Sequence, residues 1–274
     1  VLNMNRWQNR VAVVTGASSG IGAECCKDLV AKGMIVVGLA RRANRMEELK
    51  ASLPADQSTR FYGRQCDVSV EQQVIDSFAW VNETLGGADV LINNAGIIRR
   101  MHLVDEGNSA DILSIINTNL LGVTWCTREA FLSMKKRQIN DGHVVIINSI
   151  AGHGVPMVPG YSLNMYAPSK HAITALAEVL RQEFLNKGVM TKITVSHENS
   201  CMHSRISYIF YIFSQSISPG VVNTEIFDET SPEVVAGMPM LRAEDVADAV
   251  TYCIQTPPHV QIHELTIKPI GEKF

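Results

Sequence analysis

Short apolar runs alternate with longer amphipathic stretches from Arg10 almost to the end of the chain. The apolar runs cover residues 11–14, 34–40, 61–66, 89–92 and 143–148. Between and after them, helical periodicity covers 21–31, 43–52, 70–85, 110–136 and 165–185. Short, continuously apolar strands separated by helices predict a parallel sheet covered on both faces. Crossovers between parallel strands are right-handed, so the expected fold is α/β, a single Rossmann-type doubly wound sheet of about seven strands with helices on both faces. No internal repeat or linker interrupts the pattern, and residues 1–274 read as a single domain.

One segment departs from this rhythm. Lys192-Ile193-Thr194 reads as the start of a strand, and Ser216-Ile217-Ser218-Pro219-Gly220 as a strand end and turn. Between them lie a polar stretch, His197-Glu198-Asn199-Ser200, and an aromatic one running from Tyr208 to Phe213. An insertion at 195–215 is unusual, because extra residues belong in connections rather than inside buried strands. Val195-Ser196 can be encoded by the donor-like GTGAGT and Phe213-Ser214-Gln215 by the acceptor-like TTTTCTCAG. Two readings stay open, a retained intron and a genuine insertion.

The first strand runs into Thr15-Gly16-Ala17-Ser18-Ser19-Gly20-Ile21-Gly22. A glycine-rich turn between strand and helix lets backbone approach a pyrophosphate, whose charge the helix N-terminus favours. Gly16, Ser18, Ser19, Gly20, Ile21 and Gly22 are therefore cofactor candidates, with a plain tight turn as the alternative. The spacing is G-x-x-x-G-x-G, not the common G-x-G-x-x-G. After the second strand, where an NAD enzyme would carry an acid for the ribose 2′-hydroxyl, stand Arg41 and Arg42. A guanidinium pair suits a 2′-phosphate, so NADP(H) is expected in preference to NAD(H). Asp67 and Val68 follow the third strand, where the carboxylate either meets an adenine amino group or caps a helix. Asn94, Ala95 and Gly96 end the fourth strand and suit close cofactor approach.

The reactive set is Ser149, at the end of the fifth strand, with Tyr166 and Lys170 on the next helix. Residues four apart share a helix face, so the lysine ammonium favours the phenolate. Tyr166 is then a proton donor or acceptor for a substrate oxygen, and Ser149 can hydrogen-bond the same oxygen as charge develops. Tyr161 cannot take this role, because Met165 stands where a lysine is needed. Tyr161, in the loop before Tyr166, and Ile226-Phe227, followed later by Met238 and Met240-Leu241, offer apolar walls for an oily ligand, with ordinary packing as the alternative.

Together these residues resemble the short-chain dehydrogenase/reductase family over essentially the whole chain outside 195–215. The resemblance implies a fourth catalytic residue, Asn119, which holds a water in a proton relay. It implies that Lys170 binds the nicotinamide ribose, and that Pro219, Gly220, Val221, Val222 and Thr224 lie along the cofactor. It also implies a homo-oligomer. The stretches Cys126-Thr127-Arg128-Glu129-Ala130, Asp141-Gly142-His143, Ser218 to Glu225 and Thr256 to Gln261 are similar to insect farnesol and antennal dehydrogenases and their vertebrate ketosteroid-reductase relative. The substrate so implied is a small lipophilic alcohol or carbonyl compound, terpenoid such as farnesol or steroid-like. The rival reading is a non-catalytic NADP(H)-binding or scaffold protein, disabled by the insertion.

Composition narrows the setting. A net charge of −3, with short scattered basic clusters, gives no general attraction to nucleic acid. Residues 1–10 lack an apolar signal core, and no apolar run is long enough to span a bilayer. The six cysteines form no C-x-x-C pair and read as reduced thiols of a cytoplasmic enzyme. His197, Cys201 and His203 lack further ligands nearby, so no metal is expected.

Overall fold

In the computed structural model the described residues are 2–155, 157, 162–188, 191–194, 216–227, 239–260, 262 and 264–272. Strands β1 (Val11–Thr15), β2 (Ile35–Ala40), β3 (Phe61–Gln65), β4 (Val90–Asn93), β5 (His143–Ile146) and β6 (Lys192–Thr194) form a parallel sheet in the order β3-β2-β1-β4-β5-β6. Strands β7 (Ser216–Pro219) and β8 (Glu264–Ile267) pair beside it. The helices are α1 (Gly20–Ala31), α2 (Ala43–Ser52), the single turn α3 (Ala55–Ser58), α4 (Glu71–Leu85), α5 (Ser109–Ile116), α6 (Gly122–Lys136), α7 (Tyr166–Asn186) and α8 (Ala243–Gln255).

Alternation along the strands explains the layers. Ala12, Val14, Val36, Ile92 and Val145 face one side, where α1, α2 and α8 seal them. Val11, Val13, Val37, Leu39, Leu91, Val144 and Ile146 face the other, under α4, α6 and α7. Since both faces are apolar and buried, the strands read as continuous apolar runs. The amphipathic α4 stops at Gly86, whose φ of +79° places it in the left-handed conformation common at helix ends.

Two expectations are corrected. The helix expected over 110–136 is α5 and α6 joined by a π-helical turn, Asn117–Leu121, and this wider turn carries the buried Asn119. The main sheet has six strands among the described residues, not about seven, because the position beside β5 is filled by two pieces. Thr194 lies opposite Val145 in the first piece and Ile217 opposite Ile147 in the second. Only the level of Ile146 separates them, and Ser216 is the single residue available to fill it. The register along β5 therefore runs on from Thr194 to Ser216 as though residues 195–215, which lie outside the described residues, were absent. Contact between β7 and β5 falls to an isolated bridge, so β7 and β8 form a separate ladder.

Candidate active site

From β1 the chain passes outward through β2 and β3, then returns to the opposite side of β1 as β4. This reversal opens a crevice beyond the carboxyl ends of β1 and β4, the usual ligand position in a doubly wound sheet. The cleft there has a volume of about 560 Å³. Thr15 ties its floor together: Oγ1 accepts from the Asn94 and Ala95 N–H groups, both at 3.0 Å, and the Asn94 amide donates to the Thr15 carbonyl at 2.9 Å.

The glycine loop leaves no room for side chains on its inner face. Gly16 and Gly20 have φ of +66° and +53°. A Cβ on Gly16 would stand 2.9 Å from Ala95 Cα, and one on Gly22 would strike the Gly16 carbonyl and come within 2.5 Å of Asn94 Nδ2. Ser18, Ser19 and the first residues of α1, Gly20 and Ile21, line the cleft. A bare backbone cradle at the N-terminus of a helix fits a dinucleotide pyrophosphate.

At one end of the cleft, the Arg42 guanidinium donates to Ser18 Oγ at 3.0 Å and Ser19 Oγ at 2.8 Å, and meets the Glu225 carboxylate at 2.8 Å. Arg45, in the first turn of α2, meets the other oxygen of Glu225 at 2.6 Å. Arg41, Asp67 and Val68 line the same end. Asp67 Oδ1 accepts from the Ser69 N–H at 3.0 Å and hydroxyl at 2.7 Å, so the carboxylate also caps a turn.

At the other end stand Ser149, Tyr166 and Lys170. Lys170 Nζ lies 5.6 Å from the centroid of the Tyr166 ring and donates to the Ile147 carbonyl at 3.1 Å. Burial lowers the Lys170 ammonium from 10.5 to about 8. Ser149 Oγ accepts from the Ala151 N–H at 3.1 Å. Asn119 is placed behind the wall: its Oδ1 accepts from the Ile97 N–H at 2.8 Å, and its Nδ2 donates to the Ile97 carbonyl at 2.9 Å and to Ser169 Oγ at 3.1 Å. It thus fixes the segment after Gly96 against α7.

Asn94, Ala95, Gly96, Pro219, Gly220, Val221, Val222, Thr224 and Ile226 complete the cleft, and Gly22 sits behind it. Tyr161, Met238, His197, Cys201, His203 and the Phe227 side chain lie outside the described residues. Leu241 packs against the core and bridges to Val222, so its part is structural. Thr15, Arg45 and Glu225 were missed by sequence reasoning. Thr15 stood inside the loop motif, and Arg45 one helical turn after Arg42. Glu225 had no local signal, being 183 residues from Arg42. Among the described residues no cluster of three metal-ligating side chains occurs, and no helix is long and apolar enough to cross a membrane.

Residues 10–197 match the family model described as short chain dehydrogenase. The chain belongs to the short-chain dehydrogenase family. A farnesol dehydrogenase of Aedes aegypti is 47% identical over 271 residues, covering 99% of this chain and all of the relative. The human dehydrogenase/reductase SDR family member 11 is 37% identical over 274 residues, covering 97% of this chain and 96% of the relative. Among solved structures, the closed form of a serine dehydrogenase complexed with NADP+ superposes with a TM-score of 0.78 at 26% identity, over 96% of each chain. Membership of this short-chain dehydrogenase family makes the protein an oxidoreductase with a nicotinamide-binding fold.

Proposed function

We propose that this short-chain dehydrogenase passes hydride between NADP(H) and a lipophilic alcohol or carbonyl compound, of terpenoid type such as farnesol or of steroid type. The observation that carries the reading is the polarity of one cleft: Arg42 between two serine hydroxyls at one end, and Tyr166, Lys170 and Ser149 at the other. The loop from Gly16 to Gly22 would hold the pyrophosphate, Arg41 and Arg42 the 2′-phosphate, and Lys170 the nicotinamide ribose. The nicotinamide, when bound, supplies or accepts the hydride.

The side chains handle the proton. Tyr166 donates its phenolic proton to a carbonyl oxygen in reduction and takes one from an alcohol in oxidation. The Lys170 ammonium favours the phenolate form. With its pKa lowered to about 8, Lys170 also exchanges a proton more readily near neutral pH than an ordinary lysine. Ser149 already accepts a backbone N–H, which leaves its own hydroxyl proton for the substrate oxygen. Ile98, Ile150, Leu163 and Ile226 give the cleft apolar lining that supports an oily substrate. The farnesol dehydrogenase relative supports the same substrate class.

The test is a steady-state screen of farnesol, farnesal, steroid alcohols and ketones, and small polar hydroxy acids, each with both phosphorylated and unphosphorylated nicotinamides. The reading requires turnover of a lipophilic member with NADP(H). Turnover restricted to polar hydroxy acids would reject the substrate class, and binding of NADPH without any turnover would select the scaffold alternative.

A further inference from the structure

Glu225 opens a single helical turn, Glu225–Phe227, far along the chain from the arginines it meets. Its two carboxylate oxygens are divided between them: Oε2 takes Arg42 at 2.8 Å and Oε1 takes Arg45 at 2.6 Å. Arg42 hydrogen-bonds Ser18 and Ser19 from the same guanidinium. One anion is thus held by two guanidinium groups beside two hydroxyls, the donor set that suits a phosphate monoester. The hydrogen bond from Arg42 lowers the Glu225 pKa below the usual carboxylate range, so the group is ionised throughout the working range.

We infer that Glu225 is the resident occupant of the 2′-phosphate subsite, and that a 2′-phosphate must displace it to bind. The inference rests on the NADP(H) reading above. A carboxylate and a phosphate dianion cannot share one pair of guanidinium groups without strong like-charge repulsion. Binding is therefore an exchange of anions, and Glu225 weakens the affinity for every 2′-phosphorylated ligand while leaving unphosphorylated ones unaffected. The exchange also has a mechanical side. Thr224, next to Glu225, sits over the glycine loop: a Cβ on Gly20 would come within 2.9 Å of Thr224 Cγ2. Thr224 and Ile226 both line the cleft. Releasing Glu225 frees this segment from the arginines, so occupation of the phosphate end is felt at the substrate wall. Glu225 is accordingly a specificity-determining residue whose effect opposes that of Arg42.

The experiment is calorimetric titration of wild type, Glu225→Gln and Glu225→Ala with NADPH, NADH, adenosine 2′,5′-bisphosphate and adenosine 5′-monophosphate. Both variants should bind NADPH and the bisphosphate roughly three- to tenfold tighter, as expected for freeing exposed ion pairs, with NADH and the monophosphate within about twofold of wild type. Unchanged or weaker binding of the 2′-phosphorylated pair would overturn the inference, showing that Glu225 only orients the arginines. Arg42→Ala separates this from failure of the underlying reading. If it weakens NADPH but not NADH while the Glu225 variants are neutral, only the exchange is wrong; if it leaves both cofactors alike, the NADP(H) reading and the inference fall together.

Discussion

Lys170 Nζ lies 5.6 Å from the Tyr166 ring centroid, anchored on the Ile147 carbonyl just past the end of β5. Its burial opposes stability. A lysine whose pKa is about 8 when folded and near 10.5 when unfolded is charged in both states at pH 7, and the folded state bears the desolvation cost. Between those pH values the unfolded chain binds more protons, so stability rises with pH across that window. Lys170→Met should therefore abolish turnover yet raise stability at pH 7 by about 1–2 kcal/mol, after allowing for the carbonyl left without a donor. Lys192, also lowered to about 8, acts in the same window, so the informative quantity is wild type minus variant. Denaturant melts at pH 7 and pH 10 measure it; a variant less stable at pH 7 contradicts the argument.

Tyr166→Phe removes the hydroxyl proposed to transfer the proton and keeps the ring. Turnover should fall by about three orders of magnitude or more while the dissociation constant for NADPH stays within about threefold. Single-turnover kinetics and fluorescence titration check the two halves separately, and substantial residual activity would mean that another group handles the proton.

Gly22→Ala and Arg42→Ala should weaken cofactor binding in different patterns. The new methyl at position 22 meets the Gly16 carbonyl and the Asn94 amide, which shifts the pyrophosphate cradle. NADPH and NADH should both weaken by about tenfold or more. Arg42→Ala should weaken NADPH by a similar factor and spare NADH, removing the preference expected of the wild type. Identical patterns for the two variants would show that Arg42 does not read the 2′-phosphate.

Excising residues 195–215 joins Thr194 to Ser216 with the β5 register already matched. The loop-closure cost of a 21-residue connection is removed, so the shortened chain should gain on the order of 2–3 kcal/mol. Thermal melts of both forms, with turnover measured alongside, decide the matter. Equal stability and activity would argue that 195–215 is a genuine part of the protein, as would transcripts that always encode it.

Legibility along the chain followed the range of the forces involved. The strand at 35–40, the helix at 43–52 and the glycine turn are local events, and apolar runs with a start or stop signal locate them. The candidates Tyr166 and Lys170 were legible because a helix converts spacing into a shared face. The π-helical turn at Asn117–Leu121 left no trace, since its residues continue the helical pattern and its effect is a small change of pitch. Glu225 was silent because an ion pair across the fold depends on tertiary approach, and the signals around it pointed to Thr224 and Ile226 instead. The split of β6 from β7 was visible as a broken rhythm, but the preserved register required the pairing partners on β5.

That split also divides the protein's local stability. β7 leads into the turn from Pro219 to Val222, which walls the cleft, yet its backbone pairs only through the ladder with β8 and a bridge to β5 among the described residues. A molecule in which β7 and β8 have come away keeps the six-stranded sheet but lacks that wall. The dinucleotide then binds only the docked form, and by mass action it opposes the opening. At one hundred times its dissociation constant the cofactor should add about 2.7 kcal/mol to the opening free energy of β7 and β8, read as slowed amide hydrogen exchange there. The cofactor would thus brace a wall of its own site.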